Sequence, residues 1–318
     1  MHQPGLLPPG ARLLLAVSGG QDSMALLGLL LGLQRLHHWQ LILWHGDHSW
    51  RPESSEQAAA LQSWCRDREL TLRLDRWGEA QAHSSEAAAR AWRYQCLASQ
   101  ARRDGCSHVV TGHTASDRAE TLLLHLARGS HRRGLASLPA LRPLEDGSDS
   151  PLLSRPLLIF SRAETARIGQ ELGLPVWLDP SNDNPRFSRN RIRQEVLPVL
   201  EALHPGAARR LSGTAQRLQQ EQDSHQEWVQ VALAWMRTDE RQLDRQRLMQ
   251  LGPANQRSLL KLWLSSQAIT LGDAQRLEEL PRRLQQGQPP GQVDLAGGWQ
   301  LRWNRFTLEL IAPIGQAP

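Results

Sequence analysis

The chain has 318 residues, which is long enough for a core-burying domain of ordinary size and a second, smaller unit. Its formal net charge of +5 and its pI near 10.0 come almost entirely from arginine, which fits either a polyanionic partner or ordinary solvated charge. Three scattered cysteines exclude a disulfide framework and a zinc site, and the apolar run 24–33 is too short to cross a bilayer, so we expect a cytoplasmic protein with no membrane partner.

Strand-like and helix-like segments alternate in the first half of the chain, which predicts an α/β fold with a doubly wound parallel sheet. The predicted strands are Leu13–Val17, Leu41–His45, Thr71–Leu74 and His108–Gly112. The predicted helices between them are Met24–His37, Ser54–Arg68 and Ser85–Arg102. Ligands of such sheets bind beyond the carboxyl ends of the strands, where the loops after the first, second and fourth strands gather.

The second half of the chain is mostly helical in its pattern. The predictions there are a hairpin or exposed loop over 143–151, a strand over 152–160, a helix over 161–172 and an irregular polar stretch over 179–193. A long helix over Ala207–Met236 precedes a region that is helical until Gln285 and closes with strands between Val293 and Ile311. We therefore expect an α/β domain over 1–205, a helical linker over 206–236 and a small α+β domain over 237–318.

The segment Ser18–Ser23 (SGGQDS) lies between the first predicted strand and the first predicted helix. A glycine turn at a helix N-terminus collects free N–H groups, hydroxyls and a carboxylate, which suits a polyphosphate with its metal ion. Asp22 would hold Mg²⁺, because a carboxylate beside a phosphate needs a cation between them. A Walker loop, a dinucleotide loop and a nucleophile elbow are excluded, since each lacks a required residue here. The alternative is a strand–turn–helix connection that happens to be rich in glycine.

Polar residues also follow the fourth predicted strand. His113, Asp117 and Glu120 are spaced i, i+4, i+7 and share one face of the predicted helix. Acidic residues in a first helical turn also complement the helix dipole, so simple capping stays open. In the preceding helix, Arg90 and Arg93 share a face and predict either a cation aimed at phosphates or a solvated basic stripe.

Two further polar clusters complete the pattern. The loop after the second strand, 45–54, holds two histidines and an aspartate without a convergent partner, so we interpret it as a turn beside the nucleotide rather than a metal site, with Arg51 free to meet a phosphate. Arg189, Arg191 and Arg193 lie within a turn and a half and cannot all be buried without partners, which points to phosphates of ATP or a nucleic acid. An exposed helix start is the alternative, which the helix dipole disfavours.

Together these segments resemble the family of tRNA(Ile)-lysidine synthetases, a branch of the PP-loop ATP pyrophosphatases. The resemblance covers roughly residues 12–203, and the matching motifs occur in the family's order at Ser18–Ser23, His45–Arg51, Ala89–Tyr94, His113–Thr121, Arg128–Leu135 and Asp179–Arg193. Residues 293–310 resemble the family's small C-terminal region more faintly. The chain departs from the usual pattern at Asp47, Trp50, Thr114, Ser116 and Arg118.

The resemblance implies a ligase that forms lysidine in two steps. The C2 oxygen of the wobble cytidine in a CAU-anticodon tRNA(Ile) attacks the α-phosphorus of ATP and releases pyrophosphate, and the ε-amine of free L-lysine then attacks C2 and expels AMP. The implied cofactors are ATP and Mg²⁺, the C-terminal domain would bind tRNA, and a homodimer stays open.

The resemblance also implies roles for single residues. ATP would be bound by Ser18, Gly19, Gly20, Gln21, Asp22 and Ser23. Catalytic roles would fall to Asp22, Arg93, His113 and Asp117, with Asp22 as the Mg²⁺ ligand. Asp117 and Glu120 would bind lysine, while Arg189, Arg191 and Arg193 would bind tRNA. The proton of the lysine ammonium would be taken by a base such as Asp117 or lost through desolvation.

Three other functions remain as alternatives. A PP-loop tRNA sulfurtransferase would need a cysteine pair or an iron–sulfur site, and the sequence has no Cys-x-x-Cys. Another PP-loop ligase acting on a small molecule would leave the arginine cluster and the basic C-terminal region unexplained. An ATP-binding RNA adaptor would have no use for the face formed by His113, Asp117 and Glu120.

Overall fold

The computed structural model describes residues 5–47, 52–78, 86–147, 149–177, 188–269, 274–285 and 288–313. The chain forms two compact units, Met1–Gln219 and Gln220–Pro318, and the division falls inside one long helix. This division lies within the predicted linker 206–236, while the three-part domain scheme itself stays a prediction.

The first unit confirms the predicted alternation of strands and helices. Its strands are β1 (Arg12–Ala16), β2 (Gln40–Asp47), β3 (Leu72–Arg76), β4 (His108–Thr111), β5 (Leu141–Pro143) and β6 (Leu152–Ser154). Its helices are α1 (Gln21–His37), α2 (Pro52–Arg66), α3 (Glu86–Arg103), α4 (Ala115–Ala127), α5 (Arg132–Leu135), α6 (Arg162–Glu171), α7 (Ser188–Arg191) and α8 (Leu197–Leu203).

The six strands form one sheet in the order β3-β2-β1-β4-β6-β5. All neighbouring pairs are parallel except β5 and β6, which form the hairpin predicted around residues 143–151. β1 pairs with β2 on one side and with β4 on the other, so the strand order reverses direction between β1 and β4. The segments that leave the carboxyl ends of these two strands therefore meet at the place where such sheets bind ligands.

The side chains of β1 alternate between two cores, because successive residues of a strand point to opposite faces. Leu13 and Leu15 belong to a core that includes Met24 and Leu27 of α1, whereas Leu14 belongs to a core with Leu97 of α3. All three leucines are fully buried. Helices on both faces of a mostly parallel sheet confirm the doubly wound fold.

Three predicted segments differ in the structure. The strand predicted over 152–160 ends at Ser154, and Pro156–Ile159 forms a 3-10 helix because proline has no N–H to continue a ladder. Residues 178–187 lie outside the described part of the chain, but the rest of the stretch predicted as irregular is helical: α7 is followed by a π-helical turn over Ile192–Val196. The third difference, a strand pair near residue 240, belongs to the second unit.

The second unit follows and includes the end of α9 (Ala207–Met236), whose bounds match the prediction. Its strands are β7 (Arg237–Asp239), β8 (Gln242–Asp244), β9 (Gly291–Asp294), β10 (Gln300–Trp303) and β11 (Thr307–Ile311), and its other helices are α10 (Arg245–Met249), α11 (Pro253–Ser266) and α12 (Ala274–Arg283). The sheet is antiparallel in the order β7-β8-β11-β10-β9, and fully buried Trp263 lies in its core. The short pair β7–β8 was missed because its turn contains no glycine or proline.

Candidate active site

The loop predicted to hold a polyphosphate is a glycine turn between β1 and α1. Gly19 has a φ of 82°, which favours glycine, and a Cβ at this position would lie 3.1 Å from the ring of Trp177. Gly20 is the N-cap residue of α1, and no side chain caps this end of the 17-residue helix. The positive end of α1 therefore faces the region beyond the carboxyl end of β1, where an anion would be stabilised.

The two serine hydroxyls of the turn hold its shape. Ser23 Oγ donates to the carbonyl oxygen of Gly20 at 2.8 Å and accepts from the backbone N–H of Ser18 at 3.2 Å. Ser18 Oγ accepts from the N–H of Gly20 at 3.3 Å. These bonds fix the backbone of the turn, so a bound nucleotide would have little ordering to impose.

Asp22 lies in the first turn of α1 and is mostly buried. Its Oδ1 accepts hydrogen bonds from Thr165 Oγ1 and Gln21 Nε2, and Arg162 Nη1 lies 3.8 Å from its Oδ2. Burial raises the pKa of Asp22, and the negative charge of Asp117 raises it further against the opposing effect of these donors. A desolvated carboxylate of this kind gains by binding a cation, so Asp22 fits the role of a Mg²⁺ ligand.

The end of β4 contacts the start of α1 directly. A Cβ on Gly112 would lie 3.0 Å from the carbonyl carbon and oxygen of Asp22 and from the nitrogen of Ser23. This close backbone approach requires glycine and brings His113 and α4 beside the glycine turn. The influence of Asp117 on the pKa of Asp22 reflects the same proximity.

His113 follows Gly112 and lies within a cluster of charges. Its Nδ1 lies 2.9 Å from Thr111 Oγ1. Burial lowers the pKa of His113 to about 3; Asp117 opposes this shift, while Arg155, Arg189 and Arg90 add to it. The imidazole is therefore neutral at physiological pH and can offer a hydrogen bond without carrying charge.

Asp117 and Glu120 bind two arginines in this structure. Arg189 places Nη2 2.8 Å from Asp117 Oδ1 and Nε 2.8 Å from Glu120 Oε2. Arg193 places Nε 2.7 Å from Glu120 Oε1 and Nη2 3.4 Å from Asp117 Oδ1. The second oxygen of Asp117 accepts from the N–H and hydroxyl of Thr114 in a capping box. All four carboxylate oxygens therefore have partners.

The charges of this cluster shift the pKa of Asp117, Arg189 and Arg193. Burial alone would raise the pKa of Asp117, but Arg189, His113, the N–H of Thr114 and Arg193 outweigh burial and hold the pKa below its ordinary value. Burial would lower the pKa of both arginines, yet the two carboxylates raise it. Asp117 and both arginines are thus ionised, and Asp117 is a weak base while the arginines stay in place.

The three arginines of the last motif do not act together. Arg189 and Arg193 are four residues apart and face α4, whereas Arg191 points away and pairs with exposed Glu195 at 2.8 Å. The sequence argument that these arginines need an external phosphate is therefore wrong for Arg189 and Arg193, because α4 supplies their counter-charges. A tRNA contact of Arg189, Arg191 or Arg193 stays a prediction.

The arginines of α3 face different neighbours. Arg93 is exposed at the surface, and its charge adds to the effect of burial in lowering the pKa of His45. Arg90 acts on His113 instead and donates to the hydroxyl of Tyr94 at 3.4 Å. His45 Nδ1 lies 2.7 Å from the carbonyl oxygen of Val17, so this nitrogen carries the proton of the neutral ring.

Three residues near the site were not predicted from the sequence. Arg155 is 2% exposed, donates to the carbonyl of Pro139 at 2.6 Å and bonds to the hydroxyl of Tyr94. Arg162 and Thr165, at the start of α6, both contact Asp22. Each lies far along the chain from its partner, and the sequence predicted only a helix over 161–172, whose start is fixed in the structure by a capping box at Ser161.

The departures from the family pattern have local explanations. Ser116 Oγ accepts from the backbone N–H of Arg162 at 3.1 Å, so a hydroxyl anchors α6 to α4. Buried Asp47 pairs with Arg76, whose Nε lies 3.2 Å from its Oδ2. Thr114 is the N-cap of α4, and Arg118 donates to the carbonyl of Leu138. Trp50 and Arg51 lie outside the described residues.

The three cysteines are free thiols of low reactivity. Burial raises the pKa of Cys65, Cys96 and Cys106 to about 11. A thiol is nucleophilic as the thiolate, so none of them is activated for sulfur transfer at neutral pH.

Among the described residues, no helix is both long and apolar enough to span a bilayer. The same residues contain no group of three or more histidine, cysteine or acidic side chains arranged to hold a metal ion. A metal at Asp22 would accordingly take most of its remaining ligands from a bound polyphosphate and water, as Mg²⁺ commonly does.

Comparison with protein-family models gives two matches. Residues 4–200 match a model described as a PP-loop domain. Residues 243–308 match a model described as the TilS substrate binding domain. The first match covers the parallel sheet and the candidate site, and the second lies wholly within the second unit.

Curated relatives match nearly the whole chain. A tRNA(Ile)-lysidine synthase of Parasynechococcus marenigrum is 52% identical over 98% of this chain and 93% of its own length. An enzyme of the same name from Prochlorococcus marinus is 42% identical over 96% of this chain and 92% of its own length. Another, from Thermosynechococcus vestitus, is 39% identical over 98% of this chain and 90% of its own length. Among solved structures, a U34-tRNA thiolase of Methanococcus maripaludis superposes with a TM-score of 0.56 at 16% identity over 68% of this chain and 74% of that protein, a likeness of fold alone.

Proposed function

The chain belongs to the tRNA(Ile)-lysidine synthase family, and on that premise we propose that it uses ATP to ligate free L-lysine to C2 of the wobble cytidine in a tRNA(Ile) with a CAU anticodon. The observation that carries the proposal is a juxtaposition at one sheet edge. The glycine turn with Asp22 lies against the end of β4, and the two carboxylates of α4 follow on the same edge.

The glycine turn suits the triphosphate of ATP. The uncapped start of α1 supplies backbone N–H groups and the positive end of a helix dipole for the leaving pyrophosphate. Mg²⁺ held by Asp22 would neutralise part of the negative charge on that leaving group. Neutral His113 and the cations Arg90 and Arg93 are the candidates for contacts to the α-phosphate and the activated cytidine, because they lie near the same edge.

The carboxylates of Asp117 and Glu120 suit the amino groups of lysine. A guanidinium of Arg189 or Arg193 now occupies each position that an ammonium would take. Lysine would therefore enter by replacing at least one of these arginines, and the released guanidinium would become available to a phosphate. The proposed lysine contacts of α4 and the proposed tRNA contacts of the two arginines would then occur together, and both would exclude the pairing of these arginines with α4.

The same exchange explains how the amine could be activated. Only the neutral amine attacks C2, and neutralising a lysine ammonium at pH 7 takes about 4–5 kcal/mol from its ordinary pKa. Asp117 is a weak base while the arginines hold its pKa down. Once they leave, burial raises that pKa, so Asp117 becomes a better acceptor for the proton of the ammonium.

The test is to follow both products in one reaction. Wild-type protein with ATP, Mg²⁺ and tRNA(Ile) should release pyrophosphate before lysine is added, and AMP should follow only when lysine is present. Mass analysis should then find labelled lysine on the wobble nucleoside. A transcript with uridine at the wobble position is the matched control and should give neither product.

Other outcomes would contradict this function. Incorporation of ammonia or activity on a small acid would favour another PP-loop ligase, and sulfur incorporation would favour a sulfurtransferase, against which the raised pKa of the cysteines already argues. A homodimer and a cytoplasmic location are part of the proposal, to be tested by sedimentation and by cell fractionation.

A further inference from the structure

A cavity of about 480 Å³ lies in the second unit, away from every residue used above. It is lined by the start of α11 through Pro253, Gln256 and Arg257, and by the end of α12 through Pro281 and Arg282. Its volume falls within the usual range of small-molecule sites, so it has room for a nucleotide rather than only a lone ion.

The charge of this cavity has one sign. Arg257 and Arg282 both line it, and none of the described lining residues is acidic. Within the part of the chain that the structure describes, neither guanidinium has an ion-pair or hydrogen-bond partner. By contrast, the adjacent Arg283 pairs with Glu279, and Arg247 pairs with Asp244. Two unpaired guanidinium groups around one cavity are suited to an anion with several oxygens.

The start of α11 adds to this positive potential. Gly252 is its N-cap residue, and no side chain caps the end of this 14-residue helix. Gln256 is 6% exposed and donates to the carbonyl of Leu251 at 2.7 Å, which fixes the first turn beside the cavity. The helix therefore presents the positive end of its dipole from the same element that carries Arg257.

We propose that this cavity binds a backbone phosphate of the tRNA substrate through Arg257 and Arg282. The proposal rests on the proposed function, and it is supported by the match of residues 243–308 to a substrate-binding domain, which contains all of the lining residues named above. A tRNA phosphate arrives with its ribose and base, which accounts for a cavity larger than one phosphate group. Phosphate contacts of this kind fix the position of a nucleic acid without reading its sequence.

The test compares two double variants of the full chain that remove the same charge from the same helices. Arg257→Gln with Arg282→Gln removes the two cavity cations. Lys261→Gln with Arg283→Gln removes one positive charge from α11 and one from α12 outside the cavity. The probe is unmodified tRNA(Ile) transcript, and the measurement is the dissociation constant at several salt concentrations.

We expect the cavity variant to bind tRNA about tenfold or more weakly and to lower the slope of log affinity against log salt by about one to two. The control variant should change affinity by less than about threefold. At saturating tRNA, kcat should equal that of the wild type, because the cavity residues are not part of the candidate active site. Thermal unfolding should be unchanged, since the two arginines have no described partners to lose.

Three outcomes would overturn the cavity as a tRNA site. Equal weakening in both variants would mean that the charges act only at a distance, and unchanged tRNA binding in the cavity variant would mean that the cavity binds no tRNA. A change in the affinity for ATP or pyrophosphate in place of tRNA would also overturn it. The binding measurement does not depend on catalysis, so it tests the cavity separately from the proposed function. If the wild-type protein binds tRNA through this cavity but forms no lysidine, only the proposed function is refuted.

Discussion

Arg193 reaches from the π-helical turn after α7 to α4, where its Nε lies 2.7 Å from Oε1 of Glu120. The side chain of Glu120 has no exposed surface, so this pair is sheltered from water on the carboxylate side. Arg189 completes the neutralisation from the neighbouring turn. A free amine can bind these carboxylates only by replacing a guanidinium, and its apparent affinity is reduced by the strength of the contact it replaces.

Replacing one of these arginines should separate stability from substrate affinity. Arg193→Gln leaves Glu120 paired only with Arg189. We expect the free energy of unfolding to fall by about 1–3 kcal/mol, which is less than for a buried ion pair that is broken completely. The same change removes a competitor for the carboxylates, so the KM for lysine should fall. Thermal unfolding and steady-state kinetics measure the two effects.

The control for this experiment is Arg191→Gln. Its partner Glu195 is exposed, so neither stability nor the KM for lysine should change measurably. If Arg193→Gln instead raised the KM for lysine with no loss of stability, Arg193 would contact substrate directly and the exchange would be ruled out.

Asp22→Asn should abolish activity and stabilise the free protein. Burial raises the pKa of Asp22, so its charged form is disfavoured in the folded state and an uncharged amide removes that penalty at neutral pH. The stabilisation by Asp22→Asn should shrink as the pH falls to the raised pKa of Asp22, because the wild-type carboxyl group then becomes protonated and loses its charge. We expect kcat/KM to fall at least ~100-fold, because the proposed Mg²⁺ ligand is lost.

The measurement is the unfolding temperature of wild type and Asp22→Asn at several pH values, with and without Mg²⁺ and ATP. Wild type should be stabilised by Mg²⁺ and ATP together, and the variant should lose most of that response. A variant that is less stable than wild type without ligand would show that the hydrogen bonds from Thr165 and Gln21 outweigh the burial of charge.

Stability should decrease as the pH falls from about 7 to about 5. Burial lowers the pKa of His113, His45 and His108, so each binds a proton more weakly in the folded state than in the unfolded chain, where it titrates near pH 6.5; His113, with a pKa of about 3, stays neutral in the folded state. Acid therefore favours unfolding within this window. Thermal unfolding between pH 8 and pH 5 checks the trend, and His113→Asn should show a smaller decrease. An equal decrease in that variant would mean that His113 titrates normally.

Gly112→Ala should damage ATP use more than stability. The added Cβ would meet the backbone of Asp22 and Ser23 at 3.0 Å, and the backbone at the start of α1 has to move by a few tenths of an ångström. We expect kcat/KM for ATP to fall about tenfold, because small misplacements of reacting groups reduce the rate steeply.

The control glycine is Gly32, which lies within α1 and has no atom within 4 Å of the position of an added Cβ. Gly32→Ala should leave kinetics unchanged and stabilise the protein by about 0.5–1 kcal/mol, since alanine favours a helix. Equal kinetics for the two alanine variants would mean that the contact between β4 and α1 does not position the nucleotide.

The fold of the first unit could be predicted because its signals are local. Leucine-rich strands such as Leu13–Leu15 and the glycines of the turn each specify their own element. Long-range pairs left no such signal. Glu120 and Arg193 are 73 residues apart, and each had a plausible partner outside the protein, so the sequence could not show that they pair with each other.

Buried arginines were unpredictable for a related reason. Arg155 and Arg118 lie 2% and 3% exposed and donate to the carbonyls of Pro139 and Leu138, which carry no charge and leave no pattern in the sequence. A buried guanidinium satisfied by backbone oxygens depends on how a distant turn folds. The strands β7 and β8 were missed because three-residue strands give too short a pattern to recognise.

The high pKa of all three thiols has a practical consequence for spectroscopy. At neutral pH a thiol with a pKa of about 11 is a thiolate only about once in ten thousand molecules, so maleimide dyes will react with it slowly. A single cysteine engineered at an exposed position can therefore be labelled selectively while the native three are kept. Fluorescence from such a reporter would show whether the proposed exchange of guanidinium for substrate amine takes place, and how fast.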